Sequence, residues 1–188
     1  MDRILITAAT GRTGNATAKL LLERGLAVRA LVRKEDERSK ELVRLGAEVV
    51  TGDLRDFDSL RAAMKDVSRA YFVFPIGAGL IEATAYFAQA ALDAGIEAIV
   101  NMSQISARED AKSHVAQNHW IAERFLDRTG IATTHLRPTF FAEWVPILPG
   151  DDQVWSHSLS ISKREARPDC RLRSGSRHRS NPPESRAP

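Results

Sequence analysis

Apolar and polar segments alternate along the first 136 residues in a pattern typical of α/β proteins. Short runs of apolar and β-branched residues predict six strands, at about residues 3–7, 27–32, 47–50, 69–74, 97–102 and 131–136. Segments with apolar residues at helical spacing separate these runs and predict five helices, at about 13–24, 37–45, 57–64, 79–94 and 112–129. Continuous apolar runs fit strands that are covered on both faces, as in a parallel sheet.

Glycines support the predicted helix ends. Each of four glycines falls just past a predicted helix, where a left-handed cap favours this residue: Gly25, Gly46, Gly95 and Gly130. Right-handed crossovers between successive strands then predict a Rossmann-like, doubly wound parallel sheet. In such a fold the ligand crevice lies at the carboxyl ends of the strands.

The segment Thr7–Gly14 follows the first predicted strand and leads directly into the first helix. A strand, a small-residue turn and a helix in this order present backbone N–H groups and a helix N-terminus to a pyrophosphate. Ala8 stands where such motifs usually have their first glycine. We expect alanine to be tolerated there in a turn of negative φ. The alternative is a tight turn that exists for steric reasons only.

Four residues of this turn are candidate cofactor ligands. Gly11 and Gly14 would let the backbone approach the phosphates and the sheet closely, while Arg12 and Thr13 would add a charge and a hydroxyl. The charge at the N-terminal end of the helix dipole favours the same anion. Arg12 has an equally simple alternative interpretation as a solvated turn cation.

The end of the second predicted strand distinguishes between the nicotinamide cofactors. NAD-binding proteins usually have an acidic residue there for the ribose 2′-hydroxyl, whereas this chain has Arg33 and Lys34. An arginine can hold a 2′-phosphate with two hydrogen bonds, and a lysine adds a point charge. The sequence therefore predicts NADP(H) in preference to NAD(H). Alternatively, both cations begin a solvent-facing helix.

The next strand ends supply further candidates. The Asp53 carboxylate is placed to accept a hydrogen bond from the adenine amine, with Leu54 covering the ring, although Asp53 could instead serve as a turn or N-cap residue. Backbone carbonyls around Pro75, after the fourth strand, should border the cofactor ribose. Ser103, after the fifth strand, is expected near the nicotinamide.

Together these residues make the chain resemble the NmrA-like branch of the atypical short-chain dehydrogenase/reductases, over residues 3 to about 155. The matching motifs are Ala8-Ala9-Thr10-Gly11-Arg12-Thr13-Gly14, Gly52-Asp53-Leu54, His119-Trp120 with Ala122-Glu123, and Thr134-His135-Leu136-Arg137-Pro138-Thr139-Phe140-Phe141. The resemblance implies NAD(P) binding in the crevice. It also implies either reduction of small electrophiles such as quinones and enones, or a non-catalytic role as a redox-sensing regulator.

No catalytic residue is assigned. The Tyr-x-x-x-Lys pair of many short-chain dehydrogenases is absent, because neither Tyr71 nor Tyr86 has a lysine four residues later. By the resemblance, His119 matches the position of a lysine in many relatives, where it could donate a proton or contact the nicotinamide ribose; the alternative is a polar helix residue. His114 and His135 are interpreted as structural. No metal site is predicted, since no histidine and carboxylate cluster has ligand spacing.

Composition limits the partners. Residues 1–150 contain 19 Lys and Arg and 19 Asp and Glu, so the net charge of +3 comes from residues 151–188 and predicts no nucleic-acid surface. The lone Cys170 rules out an internal disulfide. No apolar run approaches the roughly 20 residues of a membrane span, and no signal peptide is recognisable. These features predict a cytoplasmic protein without a membrane partner, while a small-molecule substrate is what the family resemblance implies.

The tail of the chain has a different character. Residues 1–150 are expected to form the cofactor-binding domain, while 151–188, rich in Arg, Ser and Pro, are expected to be an irregular, disordered tail. Read one nucleotide later, its codons admit an amphipathic helix, similar to the segment that follows in relatives. This compatibility suggests a frameshift near Ser156–His157; the alternative is an evolved tail.

A substrate subdomain would then be largely missing. The expected consequences are little turnover, weakened cofactor binding, and exposed apolar edges that favour self-association or a protein partner. Three functions stay open at this stage: an NADP(H)-dependent reductase of small electrophiles, an NAD(P)-sensing regulator, and a product that retains cofactor binding alone.

Overall fold

The computed structural model describes residues 2–75 and 77–139. Within these ranges the chain alternates strand and helix, as the apolar pattern predicts. The elements are β1 (Arg3–Ile6), α1 (Arg12–Glu23), β2 (Ala27–Val32), α2 (Glu37–Arg44), β3 (Glu48–Thr51), α3 (Phe57–Met64), β4 (Arg69–Phe72), α4 (Leu80–Asp93), β5 (Ala98–Met102), α5 (His114–Asp127) and β6 (Ala132–Leu136).

The strands form one parallel sheet in the order β3-β2-β1-β4-β5-β6. The chain runs outward from β1 to β3 and then returns to β4 on the other side of β1. Ile6 is therefore in register with Ala30 of β2 and with Tyr71 of β4. This doubly wound order confirms the predicted Rossmann-like fold, and it places the topological switch point between β1 and β4.

Helices cover the sheet on both faces. On one face, α3, α4 and α5 pack on the sheet through Leu60, Phe87 and Leu126, and the Phe87 ring lies 4.3 Å from that of Phe72 in β4. On the other face, α1 and α2 contribute Ala18 and Leu42. Each layer buries apolar surface that an isolated helix or strand would leave in water.

The predicted glycine caps are found at the helix ends. Backbone φ is positive at all four positions, with 74° at Gly25, 98° at Gly46, 68° at Gly95 and 75° at Gly130. After α1, α2 and α4, the glycine N–H and the next N–H bond back to carbonyls of the last helical turn. This is the Schellman arrangement, and it turns the chain sharply into the following strand.

Two sequence expectations need correction. Helix α1 begins at Arg12, earlier than the predicted residue 13, because the extended Gly11 serves as its N-cap. The strands were expected to be covered on both faces, yet Val100 of β5 is 36% exposed and Leu136 of β6 is 42% exposed. Both lie on the face to which α1 and α2 belong, and these helices pack over the β1 and β2 side of the sheet.

Some expectations fall outside the described residues. These are the domain boundary at residue 150, the tail 151–188 with its suspected frameshift, and Phe140-Phe141 of the family motif. Among the described helices, none is long and apolar enough to cross a bilayer.

Candidate functional site

The turn between β1 and α1 lies at the switch point of the sheet. Gly11 closes it, because the Gly11 N–H donates to the Ala8 carbonyl at 2.8 Å while the Gly11 carbonyl accepts from the Asn15 N–H at 2.8 Å. The N-cap of α1 is Gly11, which has no side chain to accept the first N–H groups, whereas Asp36 and Asp56 each accept two backbone N–H groups at the starts of α2 and α3. The N-cap position of α1 thus contributes no side-chain acceptor, which suits an anion site at a helix N-terminus.

Ala8 departs from the sequence expectation. Its φ is +46°, in the left-handed region, and not the negative value expected from an alanine. The turn therefore requires a left-handed backbone at position 8 even though an alanine stands there. This conformation costs the alanine about 1–3 kcal/mol in backbone strain.

Gly14 is required for packing against this turn. A Cβ on Gly14 would lie 2.4 Å from the Ala8 carbonyl oxygen and 3.1 Å from Ala9 Cα, both backbone atoms. Gly14 is buried in the first turn of α1. Its role in the structure is to let the helix approach the strand–turn segment closely.

A cavity of about 380 Å³ opens beside this turn, over the carboxyl ends of β2, β1 and β4. Its volume lies within the roughly 300–1,000 Å³ typical of ligand clefts. Four chain segments line it: Ala8, Thr10 and Gly11 after β1; Leu31, Val32, Arg33 and Arg38 around the end of β2; Gly52, Asp53, Leu54 and Arg55 after β3; and Phe74, Pro75, Gly77 and Ala78 after β4.

Charge in this cavity is predominantly positive. Among the described residues, Arg33, Arg38 and Arg55 line it together with a single carboxylate, Asp53. Asp53 Oδ1 accepts the backbone N–H of Arg55 at 2.9 Å and lies 3.5 Å from Arg55 Nε. The backbone hydrogen bond from Arg55 lowers the pKa of Asp53, with smaller contributions from the Arg55 and Arg33 charges. Such an excess of arginine suits a phosphate-bearing ligand.

Two partly buried side-chain contacts fix the segments around the cavity. Thr7 Oγ1 accepts the Val73 N–H at 2.7 Å and donates to the Val73 carbonyl at 2.9 Å, which joins the ends of β1 and β4. Ser59 Oγ accepts the Asp53 N–H at 3.1 Å and occupies the space that a Cβ on Gly52 would need. These contacts explain why a threonine follows β1 and a glycine follows β3.

The structure brings together half of the candidate residues predicted from sequence. The cavity is lined by five of them: Gly11, Arg33, Asp53, Leu54 and Pro75. Arg12, Thr13, Gly14, Lys34 and Ser103 do not line it. Assignment of cofactor contacts to any of these ten positions stays a prediction.

Sequence reasoning missed Arg38 and Arg55. Arg38 lies in the first turn of α2, two residues after the N-cap Asp36, and Arg55 belongs to the loop after β3. Each is close in sequence to a residue that was singled out, namely Arg33 or Asp53. Their convergence on one cavity depends on how β2 and β3 pair, and no local pattern encodes it.

Ser103 lies at the carboxyl end of β5, beside an ion pair whose carboxylate is buried and whose arginine is partly exposed. Glu123 of α5 is fully buried and accepts from Arg137 Nε at 2.9 Å and from Arg137 Nη2 at 2.5 Å. Burial raises the pKa of Glu123, but the hydrogen bonds from Arg137 and the nearby Ser103 hydroxyl outweigh it, so the net pKa lies below its ordinary value. Ser103 Oγ nonetheless has no well-aligned hydrogen bond among the described residues.

His119 lies one helical turn before Glu123. Burial lowers its pKa, and the Glu123 charge opposes this only in part. The imidazole is therefore neutral at neutral pH. His135, by contrast, is held by Asn101 Nδ2 at 3.0 Å and by Asp127 Oδ1 at 2.9 Å, in keeping with a structural role. In the part of the chain that the structure describes, no group of three or more His, Cys, Asp or Glu is arranged to hold a metal.

A doubly wound parallel sheet with a glycine turn and an arginine-lined cavity at its switch point defines a Rossmann-like protein of the dinucleotide-binding type. Comparison with known proteins narrows this class. The chain belongs to the NmrA-like family, whose model matches residues 1–147.

Several of the similar proteins are named as reductases. The chain is 30% identical over 142 residues to the NAD(P)H azoreductase of Xenophilus azovorans, covering 74% of this chain and 49% of that protein. The structure of Citrobacter sp. triphenylmethane reductase complexed with NADP(H) matches with a TM-score of 0.66 at 28% identity, over 75% of this chain and 51% of that one.

A second similar structure is the NADPH-dependent quinone oxidoreductase of Escherichia coli complexed with NADPH, with a TM-score of 0.66 at 26% identity, over 75% of this chain and 50% of that one. The chain thus spans about half the length of each of these three relatives.

Proposed function

We propose that this chain binds NADP(H) in the arginine-lined cavity and provides the cofactor side of a reductase that acts on small electrophiles. The observation that carries the proposal is the position of Arg33, which follows β2 and lines the same cavity as Gly11, the N-cap of α1. In dinucleotide-binding sheets the residue at this position contacts the 2′-hydroxyl or 2′-phosphate of the adenosine ribose.

The described residues fit the adenosine half of the cofactor. The uncapped N-terminus of α1 would hold the pyrophosphate, and Arg33 would hold the 2′-phosphate. Leu31 and Leu54 offer apolar surface to the adenine. Asp53 uses Oδ1 for the Arg55 N–H, so its Oδ2 would accept a hydrogen bond from the adenine amine. Pro75 borders the same cavity after β4 and would lie beside the ribose.

Bound NADPH would supply a hydride, which is the chemistry of the cofactor itself. The chain's own part is to orient the cofactor between the turn after β1 and the strand ends. Ser103 and His119 are the polar groups at the β5 and α5 side, where the nicotinamide would extend. Azo compounds, triphenylmethane dyes and quinones are the electrophiles named for its relatives, and we propose a substrate of this kind.

Cofactor preference tests the binding proposal directly. In calorimetric or fluorescence titrations of the full chain, we expect NADPH to bind more tightly than NADH by about tenfold or more, the equivalent of one charge-assisted hydrogen bond. Arg33→Gln should reduce this preference and leave NADH binding unchanged. Lys34→Gln is the matched control, since Lys34 does not line the cavity. Tighter binding of NADH by the unmodified chain would contradict the proposal.

Turnover tests the activity. NADPH oxidation is followed at saturating cofactor with a quinone, an azo dye and a triphenylmethane dye as acceptors. The described residues contribute the cofactor side, and we therefore expect NADPH binding even where oxidation is slow. Saturable oxidation of NADPH would establish a reductase, whereas tight binding without turnover of any acceptor would favour the second candidate, a nucleotide-sensing regulator.

A further inference from the structure

The guanidinium of Arg38 bridges two segments of the cavity wall. Its Nε and Nη2 donate to Asp36 Oδ2 at 3.0 and 2.6 Å, and its Nη1 donates to the Thr10 carbonyl at 3.1 Å. Thr10 belongs to the turn after β1, while Asp36 is the N-cap of α2. Arg38 therefore connects the turn at the start of α1 to the start of α2.

Asp36 holds this arginine from a fixed position. Its Oδ1 accepts the backbone N–H groups of Arg38 and Ser39, each at 3.0 Å, and the Ser39 hydroxyl accepts the Asp36 N–H at 2.9 Å. The hydrogen bond from the Arg38 side chain, with those from the backbone, lowers the pKa of Asp36 and keeps it charged at neutral pH. One carboxylate thus caps α2 with one oxygen and orients the guanidinium with the other.

The guanidinium retains capacity for a ligand. Of its five N–H groups, three are used in these bonds. One N–H on each terminal nitrogen is left without a hydrogen bond among the described residues. Arg38 also lines the same cavity as Arg33, whereas Lys34 does not. Two arginines from the β2–α2 region therefore face one space, and one of them is already held in place.

We propose that Arg38 is a second specificity-determining residue for the phosphate on the adenosine ribose, with Asp36 as its positioning residue. The inference rests on the proposed NADP(H) function and adds to it a residue outside the strand-end pair predicted from sequence. The Asp36 carboxylate offsets much of the positive charge of Arg38. Arg38 therefore acts through directed hydrogen bonds more than through net charge. Holding the side chain beforehand reduces the entropy lost when phosphate binds.

This mechanism distinguishes arginine from lysine at position 38. A lysine ammonium has three donors on one atom and cannot reach Asp36, the Thr10 carbonyl and a phosphate from a planar fork. Arg38→Lys should therefore behave like Arg38→Gln. Asp36→Asn should keep the cap on α2, because asparagine is as good an N-cap as aspartate, yet weaken the grip on Arg38.

The experiment compares adenosine 2′,5′-bisphosphate with AMP, which differ only in the 2′-phosphate, by titration of the full chain. Arg38→Gln and Arg38→Lys should each weaken bisphosphate binding about tenfold, the worth of one charge-assisted hydrogen bond, and change AMP binding less than twofold. Asp36→Asn should give a smaller loss, again confined to the bisphosphate. Lys40→Gln is the matched control, because Lys40 is an exposed cation on the same helix that pairs with Glu37.

The outcomes separate this inference from the proposed function. If Arg38→Gln weakened binding of the bisphosphate and of AMP equally, with unchanged circular dichroism, Arg38 would have a purely structural role. That result would overturn this inference and leave the proposed function standing. The inference would also be overturned if Arg38→Gln kept the full preference for the bisphosphate over AMP while Arg33→Gln lost it. Failure of the unmodified chain to prefer the bisphosphate over AMP would overturn the proposed function, and this inference with it.

Discussion

Single residues at the turn after β1 are under conflicting demands. Ala8 adopts a left-handed conformation, and its carbonyl oxygen accepts the Gly11 N–H while nearly touching Gly14. The turn must be this tight for α1 to start beside the strand, so its shape is retained although alanine stands where a glycine would be relaxed. The strain is a property of position 8 and is absent from the neighbouring Ala9, which is fully buried at ordinary φ.

Replacing Ala8 by glycine should therefore leave stability unchanged or raise it. Relief of the strained φ is worth about 1–2 kcal/mol, against about 0.5–1 kcal/mol of added unfolded-state entropy. Ala9→Gly serves as the matched control and should lower the free energy of unfolding by about 1–2 kcal/mol, because it loses a buried methyl group and gains the same entropy cost. Urea unfolding measures both, and equal losses in the two variants would contradict the assignment of strain to Ala8.

At the scale of elements, a buried charge joins a strand to a helix end. Arg29 lies in the middle of β2 and is 6% exposed. Its Nη1 donates to the carbonyls of Ala63 at 2.9 Å and Lys65 at 2.5 Å, at the C-terminus of α3, and its Nη2 lies 3.0 Å from Glu48. The arginine satisfies carbonyls that the helix leaves unpaired and adds a cation at the negative end of its dipole.

Arg29→Met should destabilise the chain by about 2–4 kcal/mol, since two carbonyls lose their donor in a buried position. Arg3→Met is a matched control, because Arg3 pairs with the same Glu48 at 3.2 Å from a more exposed position. That variant should cost less than about 1 kcal/mol, the usual range of a surface ion pair. Comparable losses in the two variants, measured by urea unfolding, would show that the pairing with Glu48 matters more than the cap on α3.

At the scale of the whole molecule, polar contacts connect α5 to the strands at the β6 edge of the sheet. Glu123 and Arg137 join α5 to the segment after β6, and Asp127, His135 and Asn101 join α5, β6 and β5. Burial first raises the pKa of Asp127, but the contacts with His135 and Arg124 outweigh it, so its net pKa is lowered, as is that of Glu123. This layer is therefore coupled to pH.

The sign of that coupling follows from the direction of the shifts. A lowered native pKa means that the unfolded chain binds the proton first, so stability falls as pH decreases. For His119 the loss begins below its ordinary pKa of 6.5, and for Glu123 below 4.5. Each loss is complete once the pH has passed the lower native pKa of that group.

We expect the free energy of unfolding to fall in two stages as pH decreases from about 8 to about 2. His119→Gln should flatten the stage below pH 6.5, and Glu123→Gln should flatten the more acidic stage while lowering stability at pH 7. His114→Gln, at the exposed first position of the same helix, is the control and should reproduce the unmodified profile. A first stage that persists in His119→Gln would contradict the burial of His119 as its cause.

Prediction from sequence succeeded where the signal was local and failed where segments converge. The alternation of apolar runs, helices and capping glycines gave the order of elements, because each depends on neighbouring residues. Gly11, Arg33, Asp53, Leu54 and Pro75 could be placed at strand ends for the same reason, and they line one cavity. Arg38 could not, since its meeting with Thr10 depends on a contact between segments 28 residues apart.

The sequence by itself determined the alternating fold, the turn at the start of α1 and the basic residue after β2, since hydrophobic periodicity and capping preferences act over a few residues. Only the tertiary structure decided that Ala8 takes a left-handed conformation, that Lys34 lies outside the cavity and that Arg38 lies within it. The physical reason is that parallel pairing of β1, β2 and β3 fixes where their loops meet. Close packing at that meeting point then selects both backbone angles and side-chain directions.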